Sequence, residues 1–489
     1  MVRWGVVKAG TALAVLAIGL VGGAGASATT LTDALVATYG DNPTLTAQRA
    51  QLRATDEQAA IVRSAGRPTL GGTVGYTQGL NGLRELQGYN QALTAGAQLS
   101  VPLFQGGRVH SATRAADSRV ASGRETLRAT EGDVFVQAVT AYMDVLRDRA
   151  IVELNANNVK VLRTNLEASN DRFEAGDLTR TDVAQSQARL EDGNAQLTVA
   201  RSNLVRSEEN YRRVVGQSAG ALDQPPPLPV LPDTPDKAEN VAISTNPDIA
   251  AAAAAVKAAH YDVSQARASR MPTISGTVAT NYYRYSGFAG NGLGVPVGNV
   301  HGDASQAGLT LNVPLYQGGL PGAQVRQAQA FESAALENAT ATERQVVANA
   351  RAAFSSYQAS LEVIRSSQEA LKANTLALEG VRAEQEAGLR QVLDTLNAEQ
   401  EKLGSEVQLV SAQHDAYVAG FALLNAMGLV DYKHLGLEGG ALYDPTMNYR
   451  HAIHTRGDWS ESPKPQPVAR PTYGPQLAPE NAPVTSPAN

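Results

Sequence analysis

The 489-residue chain contains no cysteine. That excludes disulfide staples, thiolate metal sites and a lipid-modified cysteine near the N-terminus. Aromatic residues are scarce at 5%, so any core must be built from Ala, Val and Leu, which suits thin, closely packed helices. Both tryptophans, Trp4 and Trp459, fall outside the body of the chain as divided below. Positive charge is not in excess either. The net charge is −6 and the pI near 5.7, which gives nucleic acid no electrostatic reason to bind. Beyond the N-terminus, no segment holds the roughly 20 uninterrupted apolar residues that a spanning helix needs. If this chain enters a membrane, it must do so with strands.

An export signal is expected over residues 1–28. Arg3 and Lys8 precede the short apolar run 9–21, and Ala26-Ser27-Ala28 offers small residues for cleavage. The mature chain would start near Thr29. Proline is missing over two long stretches, between Pro102 and Pro225 and between Pro321 and Pro445. It is concentrated instead at 225–235, read as a stiff linker within 217–245, and at 463–487, in a tail over 429–489 expected to be disordered.

What is present is a duplication. Asn42-Pro43 recurs as Asn246-Pro247, an offset of 204, whereas Pro102/Pro314, Gly176/Gly388, Asp182/Asp394 and Gly216/Gly428 recur at 212. Two repeats follow, 29–216 and 246–428, differing mainly in one loop. Each holds a strand hairpin, at 69–104 and 273–316. In the first, Leu93, Ala97, Leu99, Val101 and Leu103 alternate with Thr94, Gln98 and Ser100; in the second, Ala307, Leu309, Leu311, Val313 and Leu315 alternate with Gln306, Thr310 and Asn312. Period two means one greasy face and one polar face.

Each hairpin ends in the phrase VPL[FY]QGG and gives way to a long helical hairpin, 108–216 or 322–428. Phe135, Ala138, Tyr142 and Val145, like Val347, Ala350, Phe354, Tyr357, Leu361 and Ile364, keep three–four spacing, the mark of helices packed along a left-handed seam. Pro102 and Pro314 are expected to end strands. The pairs Gly106-Gly107 and Gly318-Gly319 are expected to swing the chain from strand to helix. Four strands cannot close a barrel alone, and open edges are not viable in lipid. Several copies are required.

The phrases NPTL and NPDI, the two VPL[FY]QGG joints, RFEAGDLTRTDV at 172–183 and EAGLRQVLDTLNAEQ at 386–400 together resemble the TolC family of outer-membrane export ducts, over about residues 31–428. That resemblance implies a mixed α/β membrane protein of the Gram-negative outer membrane: a homotrimer with a 12-stranded antiparallel barrel, continued by a coiled-coil tunnel in the periplasm. It further implies passive export of proteins or small toxic compounds, with a periplasmic adaptor and an inner-membrane pump (ABC or proton-driven) as partners. Without a lipid-modified cysteine, the chain is similar to the branch more often paired with type I protein secretion.

By the same resemblance, the turns 173–183 and 385–397 are the far tips of the tunnel. Arg390 would latch the Thr181–Asp182 pair, and Asp394 would form a constricting ring. Asn397 stands where the family often has a second aspartate, and Gln385 where it often has a latch tyrosine, implying a less acidic constriction and a looser latch. Phe173, Gly176, Leu178, Gly388 and Leu389 would meet the adaptor. Plainer readings stand beside these: Thr and Asp opening a returning helix cap its free N–H groups, and tip glycines and leucines are ordinary turn residues. Tyr76, Tyr282, Tyr283 and Tyr285 could form an interfacial belt or pack at a loop base. Other signals are discounted. GNGLG at 290–294 has no helix after it, and His451 and His454 lack a third ligand. No catalytic constellation, metal site or cofactor is expected. A pore-less periplasmic coiled-coil scaffold or adaptor is the rival reading, but an adaptor would carry one helical hairpin rather than two.

Overall fold

The computed structural model describes residues 28–80, 91–286, 299–437 and 442–471. Residues 1–27 of the expected export signal, and the GNGLG segment, lie outside them. Helices α1 (Leu31–Asp41) and α2 (Pro43–Ser64) lead into β1 (Thr69–Gln78) and β2 (Gln91–Phe104), followed by α3 (Arg108–Glu174) and α4 (Arg180–Val215). The second repeat gives α5 (Pro235–Thr245), α6 (Pro247–Ala268), β3 (Thr273–Ser286), β4 (Val300–Asn312), α7 (Leu320–Glu386) and α8 (Val392–Ala426), and α9 (Met447–His454) closes the series. Helices α3 and α7 each have 67 residues, about 100 Å at 1.5 Å per residue. None of the described helices is long and apolar enough to cross a membrane.

The strands form one antiparallel sheet in the order β1-β2-β3-β4. Register places Leu70, Leu99, Val278 and Ala307 in a row across all four strands. Paired residues share a face, so the leucines of every strand lie on one side with Val74, Val101 and Val278, whereas Val300, paired with Tyr285, falls on the other. Tyr76 and Tyr282 share the leucine face, whereas Tyr283 and Tyr285 lie on the other, stacked at 5.4 Å. None of the described residues covers the greasy side: Leu70 is 76% exposed, Val74 81% and Leu309 76%.

At the joints the expectation needs correcting. Strand β2 runs through Pro102 to Phe104, with a register shift between those two residues. The last β1 pairing is Thr69 with Ser100, so the missing N–H of Pro102 falls beyond that ladder and a bulge absorbs it. Strand β4 does stop early, at Asn312, and Pro314 lies past its end. The glycine pairs behave alike: φ is 59° and 83° at Gly106 and Gly107, and 60° and 82° at Gly318 and Gly319. A side chain at any of the four would be strained, and one at Gly106 would also collide with Met271.

Two asparagines splice shorter helices end to end. The Asn42 side chain accepts from the N–H groups of Thr44 and Leu45 and donates to the Val214 carbonyl at 3.0 Å. It thereby caps α2 while holding the end of α4. Asn246 repeats this, accepting from the Asp248 N–H and donating to the Ala426 carbonyl at 2.9 Å. The main core gathers around these splices, with Phe135, Ala138, Tyr142 and Val145 wholly buried among Leu45, Leu52, Tyr211 and Leu423. The matching stripe on α7 is covered less. Ala350 and Phe354 are buried, but Leu361 is 39% exposed, and Phe331, Leu336 and Leu376 stand out at 65%, 51% and 70%.

Two boundaries move. Residues 235–245 are helix α5 rather than linker, because Pro235 sits in its first turn, where no N–H is needed, and Thr234 caps it. The preceding proline run is extended but pinned, with Leu228 and Leu231 against the core and Tyr417 donating to the Pro226 carbonyl. The tail is also ordered over much of its described length. Val430 and Leu437 are buried, the Arg49 guanidinium sits between the rings of Tyr39 and Tyr443, and α9 docks on α2 through a cluster of Tyr449, Arg63 and Asp117. These contacts join residues hundreds of positions apart, so local composition gave no sign of them.

Candidate functional site

The turns that end the two helical hairpins are built alike. In the first, the Asp177 N–H reaches the Arg172 carbonyl and the Gly176 N–H the Phe173 carbonyl; in the second, Leu389 reaches Glu384 and Gly388 reaches Gln385. Gly176 and Gly388 have φ of 86° and 78°. Each pair of bonds satisfies carbonyls that a helix end leaves free. Phe173 and Leu389 are left 44% and 78% exposed at these tips, while Leu178 is half-buried.

Asp182 serves as a capping residue. Its carboxylate accepts from the Thr179 hydroxyl at 2.7 Å and the Thr179 N–H at 2.9 Å, and the Thr179 hydroxyl caps α4 in return. Those bonds hold the carboxyl below its ordinary range. The cap is therefore Thr179 with Asp182, two residues before the threonine expected to share that task, and Thr181 is simply exposed in the first turn. Asp394 accepts from the Gln391 N–H at 3.3 Å, its side chain 41% exposed.

Arg390 does not reach Thr181 and Asp182 within the chain. Its Nε donates to Glu384 at 2.8 Å and its Nη1 lies 4.0 Å from Asp394. Both partners of the closer pair are about half exposed, so water screens the contact. Within the chain Arg390, expected to latch that pair, is engaged with Glu384 instead.

The tie between the hairpins lies about two turns further along. Arg189 on α4 donates to Asn397 at 2.7 Å and to Gln400 at 2.6 Å, both on α8. Beside it Glu399, its side chain 6% exposed, accepts from Asn165 on α3 and from Arg382 on α7, each at 2.9 Å. Thr395 donates to Gln385 at 2.7 Å, so the residue in place of the latch tyrosine is used after all. One buried carboxylate thus joins three helices. Charge-assisted bonds at a buried acceptor outweigh an exposed pair, so the link between hairpins is centred on Arg189 and Glu399. Sequence reasoning singled out Asn397 but missed both: Arg189 lies outside the quoted phrases, and Glu399, inside EAGLRQVLDTLNAEQ, reads as an ordinary surface carboxylate of a long helix. Among the described residues no group of acidic and histidine side chains could hold a metal ion.

The family model for outer membrane efflux proteins matches residues 35–217 and 240–429, one match for each repeat. The chain belongs to the outer membrane efflux protein family. Outer membrane efflux protein BepC of Brucella suis biovar 1 (strain 1330) is 34% identical over 452 residues, covering 92% of this chain and 96% of its own. Outer membrane protein TolC of Escherichia coli (strain K12) is 25% identical over 420 residues, 83% of each chain. The fold is likewise that of solved channels. The CmeC outer membrane channel of Campylobacter jejuni superposes with a TM-score of 0.70 at 15% identity over 87% of this chain and 89% of its own. For VceC of Vibrio cholerae the score is 0.68 at 22% identity, over 81% of this chain and 96% of its own. This efflux family member is an outer-membrane export channel protein, its strands the membrane part and its helices the periplasmic part. No support remains for a pore-less scaffold.

Proposed function

We propose that three copies pool their sheets into one 12-stranded barrel, four strands from each, and that their helices continue its bore as a periplasmic tunnel. Through it, proteins or small toxic compounds pass to the exterior, delivered by a periplasmic adaptor and an inner-membrane pump. The observation that carries this reading is the two-faced, single-layer sheet. Its greasy side is bare, and its outer strands β1 and β4 have no partner on their free edges among the described residues. Lipid can cover the face but not the edges, whose backbone groups need another chain. Exposed apolar residues on α7 call for the same neighbour.

At the tips, Arg189 and Glu399 hold the two hairpins of each copy together and so keep the entrance narrow. Phe173 on one turn and Leu389 on the other, exposed at non-equivalent places, offer the adaptor its contact, and Asp394 contributes negative charge to the bore. Arg390 biases Asp394 rather than acting as the latch. Single-channel recording in planar bilayers tests this. The native protein should conduct weakly, Arg189→Ala should raise conductance several-fold, and Arg390→Ala should change it little. No conductance from any form would overturn the duct, while equal conductance in the native protein and Arg189→Ala would overturn the tie.

A further inference from the structure

The C-terminal segment climbs toward the membrane, turns and comes back. Helix α9 runs alongside α2 in the same direction: Asn448 donates to the Arg53 carbonyl and to Asp56, and the α9 end is met by Arg67, which donates to the carbonyls of Ile453 and Thr455 at 3.1 and 3.4 Å. Arg67 lies two residues before Thr69, where β1 begins. Just past this level the Ser460 N–H bonds the Gly457 carbonyl at 3.2 Å, closing a tight reversal. The chain then descends until the Arg470 Nε lies 3.8 Å from the carboxylate of Asp41, the last residue of α1, just before α2 begins. Ten residues of extended, proline-rich chain cover about 31 Å. The 22 residues of α2 span about 33 Å. The return is nearly straight, so the reversal at 457–460 is the segment's highest point.

At that apex Trp459 is 97% exposed. The sheet's nearby end is edged with apolar and aromatic side chains, Phe104 49% exposed, Met271 49% and Tyr316 88%, and Arg456 is exposed beside the turn. Indole rings favour the headgroup level, where the apolar body is buried and the N–H stays wet. We propose that the 457–460 turn is a membrane foot: Trp459 seats its ring among the lipid headgroups of the periplasmic leaflet, beside the barrel's lower rim. The occupant is phospholipid, because the turn is tethered at the foot of a membrane-crossing strand. A neighbouring copy is the alternative that the test must separate.

The chain has only two tryptophans; removal of the expected export signal takes Trp4 with it, and Trp4→Phe serves where the signal is retained, so Trp459 is the sole indole emitter. The full chain would be reconstituted in phosphatidylethanolamine–phosphatidylglycerol vesicles containing lipids brominated either close to the headgroup or at the chain end. Emission should fall by about half with headgroup-proximal bromine and much less with chain-end bromine, as expected for an interfacial ring. Emission unaffected by any brominated lipid would overturn the proposal and place the ring in water or against protein. Stronger quenching from the chain end would overturn the interfacial position. Conductance of the same preparation reports the duct separately, so failure of the foot does not depend on failure of the channel.

Discussion

His414 shows how much a single side chain can hold between two helices. It lies on α8, 7% exposed, with Nε2 3.0 Å from Asp144 on α3 and Nδ1 2.9 Å from Asp415. Burial disfavours its charge, but the two carboxylates outweigh that and raise its pKa, even with Arg147 nearby opposing them. A histidine whose folded pKa is raised contributes stability that is complete below its unfolded value near 6.5 and is lost as pH climbs through the higher folded value. Thermal stability of the native protein should therefore decline as the medium moves from mildly acidic to alkaline. His414→Gln should flatten that decline and cost most on the acidic side. Melting curves across the range check it, and a parallel offset at every pH would contradict the assignment.

At the scale of elements, the asparagine splices do two tasks that substitution can separate. Asn42 and Asn246 are 5% and 7% exposed. Losing a cap costs about 0.5–2 kcal/mol, and the freed carbonyl of Val214 or Ala426 adds to this. Asn42→Ala should lower the melting temperature by a few degrees, and Asn42→Asp should lower it less, since its oxygen still caps α2 while its donor is gone. Differential scanning of both variants decides: equal losses would point to the donated bond alone, and no loss in Asn42→Asp to the cap alone. These splices also explain what was legible. The offsets of 204 and 212 located both copies because Asn-Pro and the terminal glycines are fixed by local geometry, and proline-free runs marked helices of the right length. The α9 dock was not legible, since its grip comes from Arg63, Asp117 and Tyr449 meeting across 386 positions. Nor was the Arg189–Asn397 bond, because charged residues on a long helix look like any solvated face until a neighbour is placed beside them. Pro235 misled for the opposite reason: a proline cluster suggested a linker throughout, yet its last member starts a helix.

The whole molecule is unfinished as one chain. Phe331 and Leu336 on α7 are 65% and 51% exposed, and changing them should leave the single chain's packing intact. Phe331→Glu combined with Leu336→Glu should prevent assembly, giving monomers by light scattering in detergent and no channels in bilayers. An unchanged oligomer would show that α7 does not face a neighbour. The fold at this scale is largely readable in the sequence, because amphipathic strands joined directly to very long helices leave few ways to satisfy both lipid and water. Which copies meet which surfaces is not, since a repeat pattern carries no record of what lies outside it.

The two arms of 67 residues act as a ruler. Any insertion in one arm would lift its tip out of line with its twin unless the other arm and both return helices lengthened equally. Changes in the reach of such a rod must therefore come as coordinated steps in four helices at once, which makes its span far more resistant to drift than its sequence.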